Sequence, residues 1–375
     1  MRILVLSWRD LDHPDGGGSE AYVHQLALRW VRAGHDVTVR TARPARQARL
    51  VVIDGVRYVR AGARLSVYPF GLLAALRSRR DTDAVVDVIN GLPFWTPLVR
   101  RRGVVALVHH VHREQWRIIY PNWRGRLGWY LESRVTPALY RGVPHVAVSA
   151  ATRRDLVALG IAPRLITVVR NGLDTSVATR RAPAAKDASP RVAVVSRLVP
   201  HKQIDHVFVA AARLRETVPD LAVDVMGSGW WEAPLRARAV ELGVDDLVHF
   251  HGHVSDEERD RLLGRAWVMV LPSVKEGWGI AVTEAAAVGT PTIGYRSSGG
   301  LTESIEDGTT GWLADDLDEL VDLTGRALTG GLDLRGASRA ARRAAARLDW
   351  DASASEFLDV LTRVGAAEGS GQRSP

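Results

Sequence analysis

Two α/β domains, each a doubly wound parallel sheet, are what the sequence predicts, on three observations. At 375 residues the chain exceeds one ordinary core of roughly 100–200 residues and has a natural length for two. Short apolar runs alternate with amphipathic stretches along nearly its whole length, the pattern of βαβ units. The alternation breaks at Ser176–Pro190 (SVATRRAPAAKDASP), rich in Pro, Ala, Ser and charge, and then restarts. The predicted organisation is a first domain over 1–175, a linker over 176–190 and a second domain over 191–348. A C-terminal helix over 349–364 packs back on the first domain, and a disordered tail covers 365–375.

The elements follow in order. Arg2–Ser7 reads as a buried strand: its apolar run is too short for a signal peptide and is followed by Arg9 and Asp10. Asp15-Gly16-Gly17-Gly18-Ser19 turns the chain, with Ser19 as the expected cap of a helix whose apolar positions include Tyr22, Val23, Leu26 and Trp30. Gly34 ends that helix and Val37–Val39 begins the next strand. Ala84–Ile89, Val104–Val108, Val146–Val148 and Ile166–Val169 are the further strands of the first domain. In the second, Val192–Val195, Leu221–Val225, Val248–Phe250, Val268–Leu271 and Pro291–Ile293 take that place, and Ser255-Asp256-Glu257-Glu258 is a capping box. Trp350–Val364 has helical periodicity. Ligands of doubly wound sheets lie outside the carboxyl ends of the strands, so an interdomain cleft is the expected site.

Composition excludes several classes. Cysteine is absent, which removes disulfide frameworks, thiolate metal sites and a catalytic thiol, and fits a cytoplasmic setting. Apolar runs of about five residues do not span a bilayer. Charge is uneven: residues 1–180 hold 28 Arg, no Lys and 13 acidic side chains, whereas residues 181–375 hold 22 basic and 29 acidic ones. The basic half suits an anionic partner such as a membrane surface; an Arg-rich proteome is the plainer explanation.

Leu271–Glu284 (LPSVKEGWGIAVTE) carries the strongest chemical signal. A buried strand gives way to a Gly-containing loop and then to a helix starting near Gly279 or Ile280. Loop amides and a helix N-terminus make a site for a diphosphate or for sugar oxygens. Glu276 sits in the loop and Glu284 in the early helix, where a carboxylate can accept two hydrogen bonds from a cis-diol. A second strand, Val192–Val195, leads into Arg197 and Lys202, two cations able to clamp a diphosphate and the charge that grows on it.

With these residues the chain resembles the retaining GT-B glycosyltransferases of family 4, whose second domain carries a Glu, seven residues and a second Glu; here these are Glu276 and Glu284. The resemblance implies the GT-B fold, two Rossmann-like domains, the first binding an acceptor and the second a nucleotide-diphosphate sugar (UDP or GDP), with no cofactor and no metal. It implies that Glu276 touches the donor sugar and Glu284 the nucleotide ribose, and that Arg197 and Lys202 hold the diphosphate. Gly277, Trp278, Gly279 and Ile280 surround it. Gln203 departs from the Gly that many members carry after the Lys. Among minor matches, Gly227 would let backbone approach the nucleotide and backbone at Val254 would meet the base. Gly17 and Gly18 match a Gly-rich loop near the donor phosphates and the acceptor. After Val104–Val108, His109 matches a family histidine of the active site, with His110 and His112 as competitors.

Three other signals stay open or are discounted. Three His within four residues also suit a metal, although neighbouring strand residues face opposite sides. Asp81-Thr82-Asp83 fits a metal-binding DxD pattern but precedes a strand, the wrong end for a cleft. Trp116, Tyr120, Trp123, Trp129 and Tyr130, mixed with arginines, suit core packing, an acceptor lobe or peripheral contact with an anionic membrane at its inner face. The competing functions are a nucleotide-sugar epimerase or phosphorylase on the same fold, and a non-enzymatic basic protein binding membrane or nucleic acid; no nucleic-acid partner is expected.

Overall fold

Runs of β-branched residues without Gly or Pro make the central strands of two separate sheets. In a computed structural model, which describes residues 1–14, 16–173 and 185–369, the chain divides into two units: Met1–Gly172 with Trp350–Pro375, and Leu173–Asp349. Each is described by itself.

The first unit holds an eight-stranded sheet in the order β3-β4-β2-β1-β5-β6-β7-β8. The strands are β1 (Arg2–Leu6), β2 (Asp36–Thr41), β3 (Leu50–Ile53), β4 (Val56–Arg60), β5 (Ala84–Ile89), β6 (Val104–Val108), β7 (His145–Ala147) and β8 (Ile166–Val168). All pairs are parallel except β3 with β4. That hairpin was missed on sequence, yet its signal was present: Asp54-Gly55 between two β-branched runs, with φ of 51° and 83°. The order turns over at β1 and β5, so the loops after those strands flank the switch point. Helix Trp350–Gly369 packs on helix Gly18–Arg32, with the Trp30 indole N–H donating to the Ala354 carbonyl at 3.0 Å and the Trp30 and Phe357 rings 5.3 Å apart. It extends to Gly369, past the expected end at 364; residues 370–375 of the tail lie outside the described residues.

The second unit holds a six-stranded, all-parallel sheet in the order β11-β10-β9-β12-β13-β14. These are β9 (Arg191–Val195), β10 (Ala222–Met226), β11 (Val248–Gly252), β12 (Val268–Leu271), β13 (Thr292–Tyr295) and β14 (Gly311–Ala314). β14 was not predicted, because Gly-Trp-Leu-Ala lacks a β-branched run. Helices cover both faces. Val192, Val194, Val268 and Val270 pack with Phe208 and Leu235 on one side, and Ala193, Met269 and Leu271 with Leu262, Val282 and Leu301 on the other. The strand order reverses between β9 and β12, so the loops leaving these two strands border the crevice at the sheet's carboxyl edge.

Of the expected linker, residues 174–184 lie outside the described residues. Residues 185–190 depart from a linker, because hydrogen bonds and ion pairs anchor them to the second unit. The Lys186 ammonium donates to the Ala266 carbonyl at 2.6 Å and to the Thr290 hydroxyl at 2.7 Å, and Asp187 pairs with Arg191 and Arg265.

Candidate functional site

At the switch point of the second unit, β9 runs into Ser196-Arg197-Leu198-Val199 and a short 3-10 turn, Pro200–Lys202. Gln203 follows in the left-handed region, φ 47°, and helix Asp205–Leu214 starts two residues later. The family-typical Gly would adopt that φ without strain, and Gln203 does so at a cost. The loop leaving β12 meets this turn: the Val274 N–H donates to the His201 carbonyl at 3.0 Å. Across the junction the Lys202 ammonium donates to Glu276 Oε1 at 2.5 Å, both side chains being largely shielded from water. Arg197, partly buried, sits in the same loop, five residues upstream of Lys202.

Glu276 rides on a braced backbone. Its N–H donates to the Ser298 carbonyl at 2.8 Å, its own carbonyl accepts from the Gly300 N–H at 3.0 Å, and the Ser298 hydroxyl donates to the Ser273 carbonyl. Gly277 is pressed against Gly300: a Cβ on Gly300 would lie 2.2 Å from the Gly277 oxygen. The chain then enters helix Ile280–Ala287 through Gly279, whose φ of 88° suits glycine. Trp278 is buried, and its indole N–H has no hydrogen-bond partner among the described residues. Glu284, in the second turn, pairs with Arg259 at 3.0 Å, and Arg259 also meets Asp256 at 2.7 Å and Asp260 at 3.0 Å. Burial pushes the Glu284 carboxyl up, and the Arg259 guanidinium opposes that rise.

Gly227 and Val254 follow β10 and β11. A Cβ on Gly227 would fall 1.9 Å from the Ser196 oxygen, so its glycine requirement is met by close packing against the loop after β9. Val254 packs partly buried against the cluster containing Met226 and Leu263.

In the first unit Gly17 caps helix Gly18–Arg32, and its N–H donates to Glu20 Oε2 at 2.8 Å. Ser19 therefore lies inside the first turn and is not the cap; the carboxylate of Glu20 reaches back to the N-terminus in its stead. Asp15 lies outside the described residues. Arg9 bonds Glu20 Oε1 at 3.2 Å, both side chains buried. His109 follows β6 directly. It is buried with its ring edge-on to Tyr22, centroids 5.3 Å apart, and Nε2 has no partner among the described residues. The other two histidines turn onto helical segments, His110 to Gln115 at 3.0 Å and His112 to Glu132 at 3.2 Å. No group of His, Asp or Glu among the described residues could hold a metal ion. Asp83 accepts the Arg2 N–H at 2.6 Å at the opposite edge of the sheet, as its place before β5 requires.

Burial pushes the His109 imidazole down to about 4, and that of His145, in β7, equally to about 4. Both are neutral at pH 7. Between pH 6.5 and 4 the unfolded chain takes up protons that these folded imidazoles refuse, so stability falls as pH drops through that window, by up to about 3 kcal/mol for each ring. We expect melting temperatures measured from pH 7.5 to 4.5 to decline below 6.5, and His145→Gln to flatten the decline.

The structure thus brings Lys202 onto Glu276, with Arg197 in the adjoining loop and Gly277, Trp278, Gly279 and Ile280 leading to Glu284. His109, Gly17 and Gly18 belong to the first unit. Two partners escaped sequence reasoning. Glu20 is legible as the third residue after the Gly17 cap. Arg259 lies 25 positions from Glu284 on another helix, and no local pattern reveals it.

Comparison with known proteins agrees with the two-sheet fold and gives the family. A family model described as Glycosyltransferase Family 4 matches residues 16–177, and one described as Glycosyl transferases group 1 matches residues 177–345. The chain is 29% identical to an MMP alpha-(1->4)-mannosyltransferase of Mycolicibacterium hassiacum, over 97% of this chain and 98% of the relative. It is 30% identical to a D-inositol 3-phosphate glycosyltransferase of Kribbella flavida, over 83% and 82%. Among solved structures, Anabaena Alr3699/HepE in complex with UDP-glucose superposes with a TM-score of 0.77 at 17% identity, covering 97% of this chain and 100% of that one.

Proposed function

Because this chain belongs to the group 1 glycosyltransferases, family 4, with the GT-B fold, we propose that it moves a sugar from a nucleotide-diphosphate sugar to a hydroxyl acceptor with retention at the anomeric carbon. The family membership does not favour an epimerase, a phosphorylase or a non-enzymatic binder. The observation that carries this reading is the Lys202–Glu276 contact at the β9–β12 switch point, beside Arg197 and the helix capped by Gly279. A shielded cation, together with a helix N-terminus that no side chain caps, suits a diphosphate leaving group. The HepE structure contains a donor of this class, UDP-glucose.

In the proposed reaction the bond from the anomeric carbon to the β-phosphate oxygen breaks. A bond from the acceptor oxygen to that carbon forms on the same face, and the acceptor proton passes to the leaving diphosphate. No side chain is assigned as nucleophile. Arg197 and Lys202 bind the diphosphate and stabilise the charge it gains, in place of a divalent metal. Glu276 accepts hydrogen bonds from the donor sugar, and Glu284 from the ribose. His109, neutral at pH 7, offers an imidazole N–H to a sugar hydroxyl. Gly17 and Gly18 offer backbone to the acceptor side. A cytoplasmic setting belongs to the same reading.

Arg259 is the positioning residue for Glu284. With Arg259→Met, burial of the Glu284 carboxyl goes unopposed. Nucleotide affinity should weaken about tenfold at pH 7.5, in line with loss of one charge-assisted contact, and weaken further as pH falls, because the raised carboxyl of Glu284 takes up a proton more readily. Arg259→Lys should recover most of it. Calorimetric titration with UDP and GDP checks this, with the melting temperature reporting the cost of losing the Arg259 contacts to Asp256 and Asp260.

The reading as a whole is tested by thermal shift against UDP-glucose, UDP-galactose, UDP-N-acetylglucosamine and GDP-mannose. One α-linked donor should raise the melting temperature by mass action. Slow hydrolysis of that donor, followed by proton NMR, should release the α-anomer first; the β-anomer first would contradict retention.

A further inference from the structure

Two helices of the first unit fold the wrong way round for a purely soluble surface. In helix Trp123–Tyr130 the inward residues are Gly125 and Gly128. A Cβ on Gly125 would lie 2.0 Å from the Tyr120 oxygen, and one on Gly128 2.4 Å from the Trp116 ring. The outward residues are Trp123, Leu127 and Tyr130, spaced i, i+4, i+7 on one face and 65%, 46% and 57% exposed. Helix Val67–Arg77 repeats the inversion. Gly71 packs against the Phe94 ring, Ala74 and Ala75 are buried, and Phe70, Leu73 and Leu76 face solvent. An ordinary surface helix buries its large apolar side chains and exposes small or polar ones. Of the fifteen exposed large hydrophobic residues among the described ones, thirteen belong to the first unit.

Within the two segments that carry these faces the charge has one sign. Residues 64–80 contain Arg64, Arg77, Arg79 and Arg80 and no acidic residue, and residues 117–131 contain Arg117, Arg124 and Arg126 and none either. The two segments meet where the Arg64 guanidinium donates to the Tyr120 hydroxyl. We propose that this arginine-flanked pair of helices is a docking surface for an anionic lipid bilayer. Aliphatic and aromatic tips would enter the headgroup–acyl boundary while the arginines meet lipid phosphates. No helix among the described residues is long and apolar enough to cross a membrane, so contact is at the surface. A second copy of the chain fits less well, because a self-complementary interface would set arginines against arginines with no acids between them. The proposal stands apart from the transfer reaction, and its failure would leave the reading of Glu276 and Lys202 intact.

The experiment is sedimentation of the full chain with vesicles of phosphatidylcholine alone and of phosphatidylcholine with an equal part of phosphatidylglycerol. The variants are Trp123→Ser/Leu127→Ser/Tyr130→Ser and Arg124→Gln/Arg126→Gln, whose side chains are exposed; circular dichroism and melting temperature verify the fold. We expect partition onto anionic vesicles at least about tenfold above that onto neutral ones, reduced by 0.5 M salt and reduced about tenfold or more by either variant. Absence of binding to anionic vesicles at low salt overturns the proposal. So does binding that both variants leave unchanged, or loss in the variants of self-association or polynucleotide binding without vesicle binding.

Discussion

Glu276→Ala should lower kcat/KM for transfer by about a thousandfold while nucleotide affinity stays the same or rises. The size follows from the loss of a group that acts on the reacting sugar in a water-poor site. The split follows from the geometry. Lys202 is held by Glu276 at 2.5 Å, so an incoming diphosphate must draw the ammonium away from a carboxylate. Without the carboxylate the cation is available to phosphate at once. The fold should persist, because the backbone of Glu276 is fixed by Ser298 and Gly300 through hydrogen bonds that no side chain makes. Lys202→Met should behave differently, losing nucleotide affinity and turnover together. Calorimetry and steady-state kinetics on the two variants separate a residue that acts on the sugar from one that holds the leaving group.

Gly300→Ala should strongly destabilise the second unit, although it adds a single methyl group. The added carbon would lie 2.2 Å from the Gly277 oxygen and 2.8 Å from the Trp278 nitrogen, both backbone atoms that cannot rotate aside. The two loops must then part, and overpacking of this kind costs about 3 kcal/mol or more. For a unit of this size that lowers Tm by roughly 10 °C. Turnover should fall with it, because the hydrogen bond from Gly300 to the Glu276 carbonyl is one of the braces of the site. Gly142→Ala is the control: a Cβ there meets nothing within 4 Å, and Tm should stay within about 1 °C.

Much of this was legible because doubly wound sheets write themselves locally. Buried parallel strands such as Val104–Val108 and Val268–Leu271 are continuous apolar runs, and the loops that follow them carry the chemistry. Glu276, Lys202 and Arg197 could be placed at strand ends from that pattern, and the family resemblance supplied their expected roles. What escaped was of two kinds. β3, β4 and β14 are short and lie outside the central apolar runs, so periodicity gave them little weight; only Asp54-Gly55 marked the hairpin. Arg259, and the direct contact of Lys202 with Glu276, arise from packing between elements distant in sequence, where spacing carries no information. Gly227 is a third case. The sequence marked it as a glycine near strand β10, but only the structure gives the reason, the Ser196 carbonyl at 1.9 Å from where a Cβ would be.

Whether the turn bearing Lys202 and the loop bearing Glu276 receive the pyrophosphate of an activated sugar is most directly measured by titrating UDP and GDP, calorimetrically, into the unaltered protein, Lys202→Met and Arg197→Met. One nucleotide should bind the unaltered protein, and each substitution should weaken it by about a hundredfold, as removal of a charge-assisted contact to phosphate does in a shielded site. Affinity equal in all three proteins would contradict the assignment.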